Sequence, residues 1–333
     1  MRTIAVINQK GGVGKTTTVA NLGSGIAAEG YDVCLVDMDP QSHLTLHFGV
    51  EPGTPGNSLY ELLVEGATVM QTIMHISPRL GLIPATIDLA AAEVELVTSV
   101  GREKILADKL AATSLPDEYM IIDCPPSLGL LTLNALAAAD EVIIPLQPHF
   151  LALQGLGKLL ETVSLVKQRI NPRLKVSGVL LCMFEKQTNL ASEVVSDLEE
   201  FFSAARGKDV PWSDTRIFES RIRRNVKLAE CPSYGNTIFE YAPSSNGAVD
   251  YYDLVMEFIE TFPPERPPIE EIDDEETDEL VNAHDLQTEP AAVEGMQEAA
   301  AASESPDEDE ADSSAEGFEE TDDASAPPRP EQG

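Results

Sequence analysis

Two lysines bracket a glycine run near the start of the chain. In "NQKGGVGKTTTVANL", residues 8 to 22, Gly11, Gly12, Val13 and Gly14 lead into Lys15, Thr16 and Thr17. Glycines let backbone N–H groups converge on phosphate oxygens, and a helix opening here adds the partial positive charge of its N-terminus. Lys15 is then placed to reach the β- and γ-phosphates of a nucleotide, and Thr16 to offer its hydroxyl to Mg²⁺. The motif G-x-x-x-x-G-K-[ST] wants a glycine where this chain has Gln9. What the chain has instead is an extra lysine, Lys10, whose task the loop alone does not define. The competing interpretation is an ordinary strand-to-helix turn with Lys10 as a solvated loop residue.

Three carboxylates argue against a turn without a ligand. "CLVDMDPQSHLT" leaves Asp37 and Asp39 at the end of one apolar run, and "YMIIDCPPSLG" leaves Asp123 at the end of another. A metal ion and an attacking water need carboxylates at such places. Asp37 lies two residues before Asp39 and so points to the same side of an extended chain. A strand-terminal Asp can equally cap the next helix, an alternative that stays open for Asp37. The four cysteines, Cys34, Cys124, Cys182 and Cys231, form no C-x-x-C pair and have no metal-ligand spacing, so Cys34 and Cys182 read as small packed hydrophobes.

The elements that position these residues follow from periodicity. "TIAVIN", "DVCLVD", "YMIIDC", "EVIIPL", "KVSGVLLCMF" and "DTRIF" read as strands buried on both faces, separated by segments of helical period. "GLIPATIDLAAAEVEL" reads as a short strand and an Ala-rich scaffold helix, and the last helix, "NGAVDYYDLVMEFIETF", stops at Pro263 and Pro264. Such alternation predicts an α/β fold, a doubly wound, mostly parallel sheet flanked by helices, with ligands at the carboxyl ends of the strands.

Residues 264 to 333 are different in kind. They hold 25 acidic residues against Arg266 and Arg329, a net charge of −23 out of the chain's −35, with Phe318 as their one aromatic. Such a segment cannot bury enough apolar surface to offset its ordering entropy, and it reads as a disordered acidic C-terminal tail. Residues 1 to 263, at −12, form a body long enough for one substantial core. The start, "MRTIAVINQK", lacks the apolar region of a signal peptide, and no apolar run approaches the ~20 residues that span a bilayer. The expectation is a soluble cytoplasmic protein.

"KGGVGKTT", "LVDMDPQSHLT", "YMIIDCPPSLGLLTLNAL" and "RRNVKLAECPSYGNTI" with "SSNGAVDYYDL" together resemble the ParA/Soj family of chromosome- and plasmid-partitioning ATPases, within the MinD/ParA group of deviant-Walker P-loop proteins. The resemblance runs from residue 2 to about 260 and leaves out the acidic tail. It implies a P-loop NTPase fold, ATP and Mg²⁺ as ligands, and an ATP-dependent homodimer. It implies a catalytic part for Lys15, and for Lys10 a reach across the dimer interface to the phosphates of the partner subunit, neutralising charge as an arginine finger does. Asp39 matches the position that orients or activates the attacking water. Asp123 would hold Mg²⁺ through its water shell, with Asp37 in support. The loop contacts extend over Gly11, Gly12, Val13, Gly14, Thr16 and Thr17, and Asn225 is the candidate for the adenine. The family's usual proline before "RN" is Arg223 here.

The same resemblance implies non-specific binding of double-stranded DNA, a ParB-like partner and association with the nucleoid. Local charge agrees: residues 158 to 227 carry 13 basic residues and a net +4, against −10 on residues 1 to 157 and −6 on residues 228 to 263. "TRIFESRIRRNVK" groups Arg216, Arg221, Arg223, Arg224 and Lys227. Arg224 matches a family arginine implicated in DNA contact; the other matching position is Gln187, beside Lys186. A solvated charged face is the alternative. An acidic C-terminus would be repelled by anionic lipid, so no membrane role is expected. The rival function is a nucleotide-regulated scaffold that positions a protein cargo with little or no DNA binding. A redox or cluster-transfer protein on the same fold is more distant, because paired cysteines are missing.

Overall fold

The computed structural model describes residues 1–53, 58–149, 152–185 and 189–264. The expected acidic tail from residue 265 onward therefore lies outside the described residues. Eight strands form one sheet: β1 (Arg2–Val6), β2 (Val33–Asp37), β3 (Met74–Ser77), β4 (Leu80–Ile83), β5 (Tyr119–Asp123), β6 (Glu141–Leu146), β7 (Lys175–Phe184) and β8 (Arg216–Arg223). Their order is β3-β4-β2-β5-β1-β6-β7-β8, parallel throughout except for the edge pair β3 and β4. The helices are α1 (Lys15–Ala28), α2 (His43–His47), α3 (Val69–Thr72), α4 (Leu89–Glu95), α5 (Ile105–Ala111), α6 (Leu130–Ala138), α7 (Ala152–Arg169), α8 (Asn189–Ala205), α9 (Val226–Glu230), α10 (Ile238–Tyr241) and α11 (Asn246–Thr261).

Alternation along β1 shows why the sheet is covered twice. Ile4 and Val6 join Val19, Leu22 and Ile26 of α1 and Tyr251, Leu254 and Phe258 of α11 in one core. Ala5 and the following Ile7 join Leu131 and Ala135 of α6, Leu159 and Val163 of α7 and Leu198 of α8 in the other. Period-two side chains on a chain that is apolar at every position from Ile4 to Ile7 require this double burial. Close packing of α1 depends on Gly23, where a Cβ would lie 2.5 Å from Leu35 Cδ2 of β2.

Two strands depart from expectation. The short edge strand β3 was not foreseen, because "MHIS" alternates between half-buried and exposed positions. β8 runs on past "DTRIF" to Arg223, because only alternate residues face the core and the others are charged. Among the described residues no helix is long and apolar enough to cross a membrane.

Candidate functional site

The sheet order brings the ends of β1, β2 and β5 together. β5 lies between the other two, so Asp123 is the register partner of both Val6 and Asp37. The loop after β1 turns through left-handed backbone at Gly12 (φ 70°) and Gly14 (φ 96°), conformations that favour glycine, and enters α1 at Lys15. Lys15 is 7 % exposed, while Thr16 Oγ1 donates to Asp123 Oδ2 at 2.6 Å. Asp123 Oδ1 is buried with no hydrogen-bond partner among the described residues.

The two buried carboxylates do different work. Burial pushes the Asp37 carboxyl up to about 6, against the hydrogen bonds it accepts. Asp37 Oδ2 accepts from Thr45 N at 2.9 Å and Thr45 Oγ1 at 2.7 Å, and its Oδ1 accepts from Asp39 N at 3.1 Å. Both oxygens thus hold the chain between β2 and α2, as a helix-capping carboxylate would. Burial, and then the charge of Asp37, raise the Asp123 carboxyl well above its ordinary value. An orphaned, buried, strained-to-ionise oxygen beside a threonine hydroxyl fits a hard cation that completes its shell with water and phosphate. Among the described residues no group of three or more His, Cys, Asp or Glu could hold a metal alone.

A cavity of about 700 Å³ opens over the loop, lined by Gly12, Lys15, Thr16, Thr17, Asp39 and Gln41 among others. The half-buried Asp39 accepts from Gln41 N through Oδ1 at 3.0 Å. A second cavity of about 340 Å³ shares Gly14, Thr17 and Met183 with the first and continues to Asn225, Leu228 and Tyr251. Asn225 caps α9, its Oδ1 accepting from Lys227 N at 2.9 Å, which leaves the carboxamide NH₂ as a donor. Met183 meets this cavity with φ 50°, an uncommon conformation for a residue with a side chain. The joined cavities thus have a cationic, oxygen-lined end and an apolar end, the division that a nucleotide's phosphates and base require.

His43 and His47 escaped the sequence reading. Both line the larger cavity. Their i, i+4 spacing on α2 was the available signal. His47 is 1 % exposed, burial lowers its pKa to about 4, and its Nε2 has no hydrogen-bond partner among the described residues.

Lys10 does not line the phosphate cavity. Its Nζ rests on its own chain, 3.3 Å from Gln147 Oε1 and 2.5 Å from His149 Nε2.

The basic residues divide. Arg224 is largely exposed and lies 4.0 Å from Glu185 in an ion pair. Arg221 is exposed, its guanidinium over the Phe184 ring at 4.6 Å. Lys227 pairs with Glu230 at 2.8 Å. Arg223, grouped with the DNA-binding residues from sequence, is instead clamped to Asp250 of α11: Nε lies 2.9 Å from Oδ1, Nη2 2.5 Å from Oδ1, and its backbone N 2.9 Å from Oδ2. It also lines the apolar cavity. Its guanidinium is thus paired with a buried carboxylate, while the residue itself stays exposed. Lys186 lies outside the described residues.

Comparison with known proteins gives three kinds of likeness. Residues 1–176 match a family described as an AAA domain. The chain is 45 % identical over 255 residues to the sporulation initiation inhibitor protein Soj of Bacillus subtilis, spanning 76 % of this chain and 96 % of that protein. It is 41 % identical over 260 residues to the chromosome-partitioning ATPase Soj of Treponema pallidum, spanning 78 % and 97 %. A solved structure of cobyrinic acid a,c-diamide synthase from Mycobacterium smegmatis, with bound ATP analog and magnesium, is 36 % identical with a TM-score of 0.66, covering 80 % of this chain and all of that one.

Proposed function

Because the chain belongs to the ParA/Soj family of partitioning ATPases, we propose that it is an ATP-driven dimerisation switch that binds DNA without sequence preference and works with a ParB-like partner to partition a chromosome or plasmid. The observation that carries this reading is the Thr16–Asp123 pair with its orphaned oxygen, set under the loop and beside Lys15. Lys15 and the loop amides hold the phosphates, and the NH₂ of Asn225 donates to a ring nitrogen of the base. Magnesium, held by Thr16 and through water by Asp123, would supply charge neutralisation on the phosphates. Asp39, one oxygen tied to Gln41 N, keeps the other to orient the attacking water. Asp37 supports the metal indirectly by fixing the loop that carries Asp39.

Lys10, delivered across a symmetric interface, gives ATP a reason to hold two subunits together. A dimer carries two copies of the Arg221 and Arg224 surface, which raises a weak phosphate affinity through effective concentration and makes DNA binding ATP-dependent. Such a protein would reside on the nucleoid.

The test combines nucleotide binding, sedimentation and DNA retention. Lys15→Ala should lose ATP binding, whereas Asp39→Ala should bind ATP, hydrolyse it poorly and accumulate as a dimer on random-sequence DNA. An Asp39→Ala chain that stays monomeric with ATP while the wild type dimerises would remove the role given to Asp39. Failure of the ATP-bound wild type to stay on DNA at low salt would favour the cargo-positioning scaffold.

A further inference from the structure

The loop that carries Lys10 is zipped to the end of β6. Asn8 Nδ2 donates to Pro145 O at 2.7 Å, and Asn8 Oδ1 accepts from Lys10 N at 2.9 Å. The ammonium then donates onward to Gln147 and His149, into a separate cavity of about 340 Å³ bounded also by Val13 and Gly155. To serve any phosphate, the lysine must first leave these partners.

We propose that Gln147 and His149 form a holding site in cis for Lys10, filled in the lone subunit and vacated when the lysine crosses to a second copy. The inference rests on the interfacial part given to Lys10 above. An ammonium has protons and no lone pair, so His149 can hold it only as neutral imidazole with Nε2 as acceptor. Among the described residues the charge acting on the ring is that of Lys10; Asn8 and Gln147 beside it are uncharged. Burial and the Lys10 charge both lower the imidazole pKa from 6.5, which keeps the ring in its accepting form at neutral pH. Holding is therefore complete above the ordinary value and is lost as pH falls through the lowered one. His149 is a positioning residue: it acts on the reaction only through the lysine it retains.

Sedimentation of the full chain with a slowly hydrolysed ATP analogue tests this. His149→Ala should tighten dimerisation by about fivefold per lysine released, about 25-fold for a symmetric pair, the size expected when one modest hydrogen bond no longer competes. His149→Gln, which keeps an acceptor, should return the wild-type affinity. Stepwise acidification from about pH 8, through the lowered value of His149, should tighten the wild type relative to His149→Gln. In the Lys10→Ala background the gain from His149→Ala should vanish. An unchanged or weaker His149→Ala dimer, or the same gain without Lys10, overturns the holding site alone. A Lys10→Ala chain that dimerises as wild type overturns the interfacial lysine, and the holding site with it.

Discussion

His47 is nearly sealed in the wall of the larger cavity, with a ring nitrogen that finds no partner among the described residues. Its pKa falls from 6.5 to about 4 on burial, so between those values the unfolded chain binds more protons than the native one. Its contribution to stability is full above about pH 6.5 and is lost as pH falls through 4, to the extent of about 3 kcal/mol. Asp37, with its carboxyl raised to about 6, pulls the other way, but it is common to wild type and variant. His47→Gln should therefore gain about 3 kcal/mol on the wild type between pH 7 and pH 4, read from urea unfolding at each pH. Parallel curves would mean that His47 is protonated without cost. Asn225 separates two roles within one side chain, since its oxygen caps α9, its NH₂ takes no part in that bond, and the residue lines the apolar cavity. Asn225→Asp keeps the cap and loses the donor; Asn225→Ala loses both. Both should weaken ATP binding about tenfold, measured by titration calorimetry, while only the alanine variant should lose about 1 kcal/mol of stability. Equal ATP affinity in Asn225→Asp and wild type would remove Asn225 from the base.

β8 and α9 form a segment whose inner side closes the apolar cavity through Ile222 and Leu228 and whose outer side carries Arg221 and Arg224. Here Arg223 and Arg224, adjacent in sequence, should behave differently. Arg224→Ala removes an exposed cation and should flatten the plot of log K against log salt for DNA binding by about one per lost phosphate contact, about two per dimer. Arg223→Ala should leave that slope near the wild type's and cost about 2 kcal/mol of stability, because it leaves the buried Asp250 without its guanidinium. Equal flattening by both would return Arg223 to the DNA surface. The same segment marks the limit of what sequence reveals. β1, β2, β5, β6 and β7 were legible because strands covered on both faces read as unbroken apolar runs, and their ends then located Lys15, Thr16, Asp39 and Asp123. β8 was legible only in its first half, and β3 not at all, because an edge strand alternates its burial and loses that signature. Pairings between elements were hidden altogether: Arg223 with Asp250 on α11, and Lys10 with His149 beyond β6, join residues whose relation depends on the order of strands and not on spacing within one element.

Over the whole molecule, charge is divided more sharply than structure. Residues 158 to 227 carry +4 in a body of −12, and residues 264 to 333 add −23. The two described cores fill both faces of the sheet with residues up to Phe262, and the composition of residues 264 to 333 cannot bury enough apolar surface to offset its ordering entropy. Truncation after Pro264 should accordingly leave the melting temperature and the basal ATPase rate near those of the full chain. Its effect should be on DNA. A chain of −35 repels a polyanion more strongly than one of −12, and that repulsion acts over the Debye length, ~30 Å at 10 mM salt and ~8 Å at 150 mM. The truncated chain should bind random-sequence DNA more tightly, with the gain largest at low salt and shrinking as salt rises. Its plot of log K against log salt should be the steeper, because added salt relieves repulsion in the full chain while it weakens the phosphate contacts of both. Fluorescence anisotropy with ATP analogue across a salt series, beside thermal unfolding, makes the measurement. A large fall in melting temperature would show that the acidic segment contributes to folding, and identical affinities at every salt would show that its charge does not act at the DNA surface.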